Sequence, residues 1–175
     1  MRPARNGAAR MTSRSTDPLS SAAIAMVALS LRQPWAELVL RGVKTIETRT
    51  WKSSFLGEFY IHAAKQIDFD CCSRFGINPQ TLVTGAIVGR ATIVSRIDYV
   101  SEKMWRAGEK RHCVAEPLAT QLKKVRYGYV LRDIVRLAAP VPCAGKLNFF
   151  PLPQNMLNVA NAAVGKSAIK SAKSI

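Results

Sequence analysis

Leu29–Trp51, LSLRQPWAELVLRGVKTIETRTW, is the stretch whose reading decides the fold. Gln33-Pro34 opens a helix, because a proline fits the first turn, where its missing N–H is not needed. Trp35, Leu38 and Val39 follow at i, i+3 and i+4, giving one apolar face. Gly42 comes just after the last apolar pair, as a helix C-terminus often requires. Beyond it, Thr45, Glu47, Arg49 and Trp51 alternate with Ile46, Thr48 and Thr50 at the strand period of two. An acid, a guanidinium and an indole therefore share one face of one strand. Such a face is expected to line something polar.

Working outward, Val27–Leu31 reads as a strand before the Pro34–Arg41 helix, and Lys44–Trp51 and Glu58–Ala63 as strands after it. Gln66–Phe75 looks helical and is stopped by Gly76 and Asn78-Pro79. Thr84–Tyr99 is a long strand rich in valine and isoleucine, with a bend expected at Gly85 or Gly89. Residues 101–124 are charged and interrupted by Pro117, which suggests one or two short helices inserted between strands. Tyr127–Leu137 and Gly145–Leu152 complete the set. Five to six strands with helices in the connections predict an α+β fold, a small mixed β-barrel.

Four ordered segments carry a family resemblance. Gly42, Lys44, Glu47 and Arg49 fit a G-x-K-x-x-E-x-R pattern after the Gln-Pro-Trp helix start. GEFYIHAAK (Gly57–Lys65), TGAIVGRATIV (Thr84–Val94) and YGYVLRDIVRLAAPVPCAGKLNFFPLP (Tyr127–Pro153) follow in order. Together they resemble the ASCH domain (activating signal cointegrator homology), a branch of the PUA-like β-barrel superfamily. The resemblance covers roughly residues 26–153 and implies a PUA-like barrel, a nucleic-acid connection and a ligand cleft bordered by the charged strand and the His62–Lys65 run. Some ASCH relatives are amidohydrolases that use the motif lysine with a threonine and a glutamate. Lys44 matches that lysine, but Glu47 stands where the threonine would be, and Thr84–Val94 contains no acid.

At 175 residues the chain suits one domain with a substantial core. Its 26 Lys+Arg against 11 Asp+Glu give a net charge of +15. Arg2, Arg5, Arg10 and Arg14 against Asp17 leave residues 1–24 at +3, and Lys166, Lys170 and Lys173 put residues 156–175 at +3, so the part between holds +9. A field of that sign attracts polyanions, nucleic acid above all. Residues 1–25 read as a disordered basic extension, or as a start assigned too far upstream of Met26. Residues 26–153 read as the domain, and 154–175 as a flexible basic tail. No apolar run approaches the ~20 residues of a membrane span. Cys71, Cys72, Cys113 and Cys143 have neither metal-site nor disulfide spacing, so no metal or cofactor is expected, and reduced thiols suit a cytoplasmic protein. The absence of phosphate-loop, dinucleotide-binding, H-E-x-x-H and G-x-S-x-G motifs argues against P-loop, nicotinamide, zincin and nucleophile-elbow chemistry.

The candidate site residues each carry more than one reading. Glu47 and Arg49 either meet a ligand together or brace the fold as an ion pair. Lys44, at the strand's mouth, binds phosphate, acts as a base, or is a solvated lysine. His62 is an acid–base group, a phosphate contact or a core histidine. Trp51 stacks a base or packs, whereas Trp35 and Trp105 are expected to pack. Lys52 and Lys65, with Arg106–Arg111 and Lys123–Arg126, extend a surface that could follow phosphates. The leading functional reading is a nucleic-acid-binding module, for RNA or a single-stranded or modified base in a basic cleft. It uses Lys44, Glu47, Arg49, Trp51, Lys52, His62 and Lys65. The alternative is a metal-independent enzyme on RNA or nucleosides, a ribonuclease or an amidohydrolase of an acylated base, with Lys44, Glu47 and His62 catalytic. A third possibility is an adaptor displaying the insertion Val100–Val125 to a protein partner.

Overall fold

The computed structural model describes residues 26–121 and 127–171; the expectations for residues 1–25 and for Lys123–Arg126 fall outside them. The fold is α+β. Its strands are β1 (Val27–Gln33), β2 (Ile46–Arg49), β3 (Gly57–Ile67), β4 (Ala86–Asp98), β5 (Tyr127–Pro142) and β6 (Phe149–Pro151). They form one six-stranded sheet in the order β2-β5-β4-β3-β1-β6. The β1–β3 pair is parallel and the other pairs are antiparallel.

The expected barrel is not closed by backbone pairing, since β2 and β6 are the two ends of the sheet. Side chains bridge the gap instead. Arg49 on β2 donates from Nη2 to the Ser30 carbonyl of β1 at 2.6 Å. Lower down, Trp51 and Phe149 meet edge-on with ring centroids 5.5 Å apart. The unpaired edges of the end strands leave an open seam.

Strand alternation sorts the core. Leu29, Leu31, Phe59, Ile61, Ala91, Ile93, Tyr129 and Leu131 fill the inside of the curved sheet. Ala28, Tyr60 and Ile87, at alternate positions, face the other way together with Leu137, Val141 and Phe150. That second face is covered by a helix where the sequence reads as a flexible tail. Gln154–Ser171 are helical, with Leu157 and Ala160 buried against the second cluster. The cause is apolar surface on the far side of the strands, which needs a cover. Tyr60 also donates from its hydroxyl to Asn161 Oδ1 at 2.5 Å, tying β3 to the helix.

The long-strand bend falls at Gly89, where the β4–β5 register shifts between Ile87 and Gly89. A Cβ there would lie 2.3 Å from Leu40 and 2.6 Å from the Val135 carbonyl, so the first helix can approach only a glycine. The predicted Gln66–Phe75 helix is shorter, Phe69–Arg74, because β3 continues to Ile67. The inserted segment forms three short helices, Glu102–Ala107, Glu109–His112 and Leu118–Gln121, around a small core of Tyr99, Trp105 and Leu118. No helix among the described residues is long and apolar enough to cross a membrane.

Candidate functional site

A cleft of about 1040 Å³ runs along the open seam between β1 and β2. Its walls come from β1, β2, the end of β3 and the Cys143–Asn148 loop. The local folding begins at α1 (Trp35–Leu40). Gln33 is buried; its carboxamide accepts from the Glu37 N–H at 3.1 Å and donates to the Val83 carbonyl at 2.6 Å, capping the first turn. At the other end Gly42 takes φ +72°, which suits glycine. The chain then reverses, so that the Val43 and Lys44 N–H groups both donate to the Leu38 carbonyl. This turn directs Lys44 inward, beneath its own helix.

Lys44 is therefore not at an exposed mouth; it is 2% accessible. Its Nζ donates to the carbonyls of Ile46 at 2.8 Å and His112 at 2.9 Å, and lies 3.5 Å from Glu47 Oε2. The Trp35 ring lies on another side, its centroid 5.2 Å from Nζ. Burial pulls the lysine pKa down, against the attraction of Glu47. The two carbonyls receive its N–H groups, and the Glu47 carboxylate stands beside them.

Glu47 thus stands between two cations. Arg49 Nε is 3.0 Å from Glu47 Oε1, close enough for an ion pair but not aligned for a hydrogen bond, so the Nε–H is a buried donor without an acceptor. The Arg49 guanidinium also lies 6.0 Å from the Trp51 ring. The strand expected over Lys44–Trp51 is only Ile46–Arg49, so Trp51 lies beyond its end; Glu47, Arg49 and Trp51 all line the cleft, and so do Thr48 and Thr50. Trp51 packs on Tyr129 and Phe149, one of its two readings, while also lining the cleft.

His62 is almost fully buried, and its bonds fix its chemistry. Nε2 lies 3.0 Å from the Cys143 carbonyl, which can only accept, so Nε2 carries a hydrogen. Nδ1 lies 3.0 Å from Ser30 Oγ, its register partner on β1. Burial lowers the histidine pKa and favours the neutral ring, leaving Nδ1 to accept from the Ser30 hydroxyl. A Cβ on Gly145 would sit 2.4 Å from His62 Cε1 and 2.9 Å from Ser30 Oγ, so only glycine permits the loop above them. Lys65 is exposed on the cleft rim, whereas Lys52 is exposed and lies outside the wall.

The other histidine is structural. His112 is fully buried, stacks on Trp105 at 3.9 Å, accepts the Val114 N–H at Nδ1 and donates from Nε2 to the Trp105 carbonyl. The insertion that carries it braces the site: the His112 carbonyl receives Lys44, and the Arg111 carbonyl receives the Thr45 N–H.

The sequence reading missed Ser30, Arg32, Trp35 and Lys146 as cleft residues. Trp35 holds to the helix's apolar face as expected, but its outer side borders the cleft beside Lys44 and Arg74, whose guanidinium is 5.9 Å from the ring. Ser30 and Arg32 had a signal in the alternation of LSLR, where polar positions interrupt a buried strand. Five basic side chains line the cleft (Arg32, Lys44, Arg49, Lys65 and Lys146) against the carboxylates of Glu47, Asp68 and Glu116.

The fold is an α+β mixed sheet with an open seam, along which lie buried Lys44 and Glu47 and partly exposed Arg49. The ASCH domain family matches residues 29–137, and the chain belongs to that family. It is similar in fold to the crystal structure of ASCH from Zymomonas mobilis, with TM-score 0.57 and 14% identity over 79% of this chain and 94% of the other. Two variants of that Zymomonas mobilis protein, a serine-to-alanine and a tyrosine-to-phenylalanine mutant, match with the same TM-score and identity, covering 79% of this chain and 95% and 97% of theirs. No curated protein matches the chain.

Proposed function

We propose that this ASCH domain binds nucleic acid, RNA or a single-stranded segment carrying an accessible base, in the β1–β2 cleft. The observation that carries the reading is the combination of two tryptophans, Trp35 and Trp51, with an excess of basic side chains along one open cleft of a +15 chain. Arg32, Lys65 and Lys146 on the rim meet phosphates, supplying affinity that depends on salt. Arg49, whose side chain is 22% exposed at the cleft wall, offers its guanidinium to a base edge, with Glu47 holding it from behind. An unpaired base can stack on Trp51, worth ~1–3 kcal/mol. Lys44 contributes from behind, holding Glu47 in place rather than touching phosphate.

One observation favours an enzyme as a second reading. Lys44 is a buried lysine whose pKa burial lowers, next to a carboxylate at a cleft wall. In that reading Lys44 and Glu47 handle protons and Arg49 stabilises developing negative charge. Labelled single-stranded RNA, incubated with the protein in EDTA beside Lys44→Ala, separates the two. Intact, bound RNA supports the binding module, and cleavage lost in Lys44→Ala with binding retained supports the enzyme. Neither binding nor cleavage overturns both.

A further inference from the structure

His62 is almost fully buried, yet it lies in the cleft wall and is hydrogen-bonded to a hydroxyl that borders the same cleft. We propose that Ser30 is a reactive hydroxyl, with His62 Nδ1 as its general base, able to attack a carboxylic ester entering the cleft. Neither the family match nor the binding proposal assigns this residue a role, and the inference stands whether or not the cleft takes up nucleic acid.

Three features converge. The 3.0 Å contact between Ser30 Oγ and His62 Nδ1 is within the range for a nucleophile and its base. The Cys143 carbonyl fixes the opposite ring nitrogen as N–H at 3.0 Å, so the lone pair points at the serine. A backbone carbonyl here does the orienting work that a carboxylate does in a triad. Finally, Arg49 donates from Nη2 to the backbone carbonyl of Ser30 itself, which ties a guanidinium on the cleft wall to the residue that carries the nucleophile. Ser30 lies in a strand and not on a strand–helix elbow, so the short serine-hydrolase motif is absent from the sequence while the pairing is present in space.

The Lys146 carbonyl is a competing acceptor for the same hydroxyl, at 3.1 Å. A serine has one hydrogen to give. Given to Lys146, it leaves Oγ to accept from a protonated ring; given to Nδ1 of a neutral ring, it sets up the reactive pair. The reactive arrangement is therefore the one with a neutral imidazole.

In the reaction, Oγ adds to the ester carbonyl as its proton passes to Nδ1, and the oxyanion forms beside Arg49. Collapse breaks the acyl–oxygen bond, and the departing alkoxide takes the proton from the imidazolium. Water, deprotonated by the same nitrogen, then cleaves the acyl-serine to a carboxylic acid and restores the hydroxyl.

The test is labelling of the full chain with a fluorophosphonate, which forms an O–P bond with loss of fluoride, read by intact mass and peptide mapping. The expected result is one adduct, on Ser30, absent in Ser30→Ala, and slowed by about 100-fold or more in His62→Gln, the scale of a general base. Should His62→Gln fail to fold, Gly145→Ala serves, since its methyl would collide with the ring and disturb the same pairing. No adduct on the wild type, an adduct on another residue, or an unchanged rate in a folded His62→Gln or Gly145→Ala overturns the proposal.

Discussion

At the scale of single residues, the buried charge cluster accounts for most of what the site can do. Lys44, Glu47 and Arg49 neutralise one another only as a set, so removing one member leaves the others exposed to the cost of burial. Lys44→Met would orphan the Ile46 and His112 carbonyls as well as Glu47. It is expected to lower stability by about 3 kcal/mol, the scale of breaking a buried pair, as read by urea unfolding. A loss below about 0.5 kcal/mol would show the lysine to be solvated, as surface pairs are. Spacing in the sequence placed Glu47 and Arg49 on one face, because a strand's period is local. It could not show Lys44 turning inward, since that depends on Gly42 and on a carbonyl of His112, far along the chain. Ser30 was illegible for the same reason: its partner, His62, comes from another strand.

At the scale of elements, two segments do work that their composition conceals. The insertion looks like a solvated charged loop, yet its backbone carbonyls receive Lys44 Nζ and the Thr45 N–H. The C-terminal segment looks like a tail, because its apolar residues, many of them alanine, form no strong stripe. Its helix nevertheless covers Tyr60, Leu137 and Phe150 on the sheet's second face. The legible hint was that β3 is apolar at consecutive positions, Phe59, Tyr60 and Ile61, which implies burial on both faces. Leu157→Ala is expected to cost about 2–4 kcal/mol in chemical denaturation, as for other buried leucines. A cost near zero would mean that the helix does not cover the sheet. On the cleft rim, Lys65→Ala and Lys146→Ala should each reduce the slope of log affinity for single-stranded RNA against log salt by about 0.7. An unchanged slope would place the phosphates elsewhere.

At the scale of the whole molecule, the open sheet is the organising fact. Hydrophobic patterning predicted the strands and the α+β class, but whether the first and last strands meet depends on side chains far apart in sequence. Here Arg49 and Trp51 span the gap and leave a cleft. Titration of the whole fold should reflect its two buried histidines. Burial lowers the pKa of His62 and His112 below the ordinary 6.5, so the unfolded chain binds protons at each more readily than the folded one. Stability should therefore fall as pH drops below about 6.5, by at most about 1.4 kcal/mol per pH unit for each histidine. Thermal or urea unfolding between pH 7 and pH 5 measures this, and a flat profile would show both rings to be freely protonated.

The central claim, that nucleic acid occupies the β1–β2 cleft, is best tested with the three tryptophans of the chain. Trp35 and Trp51 border the cleft, whereas Trp105 is fully buried in the insertion, with its indole N–H bonded to the Glu116 carbonyl. Indole N–H resonances can be followed by NMR as single-stranded RNA is added at ~50 mM salt, where electrostatic binding is strong. The account predicts shifts for Trp35 and Trp51 that saturate together and collapse as salt rises, with Trp105 unmoved. Saturating binding that leaves Trp35 and Trp51 still, or no binding at that salt, would contradict it.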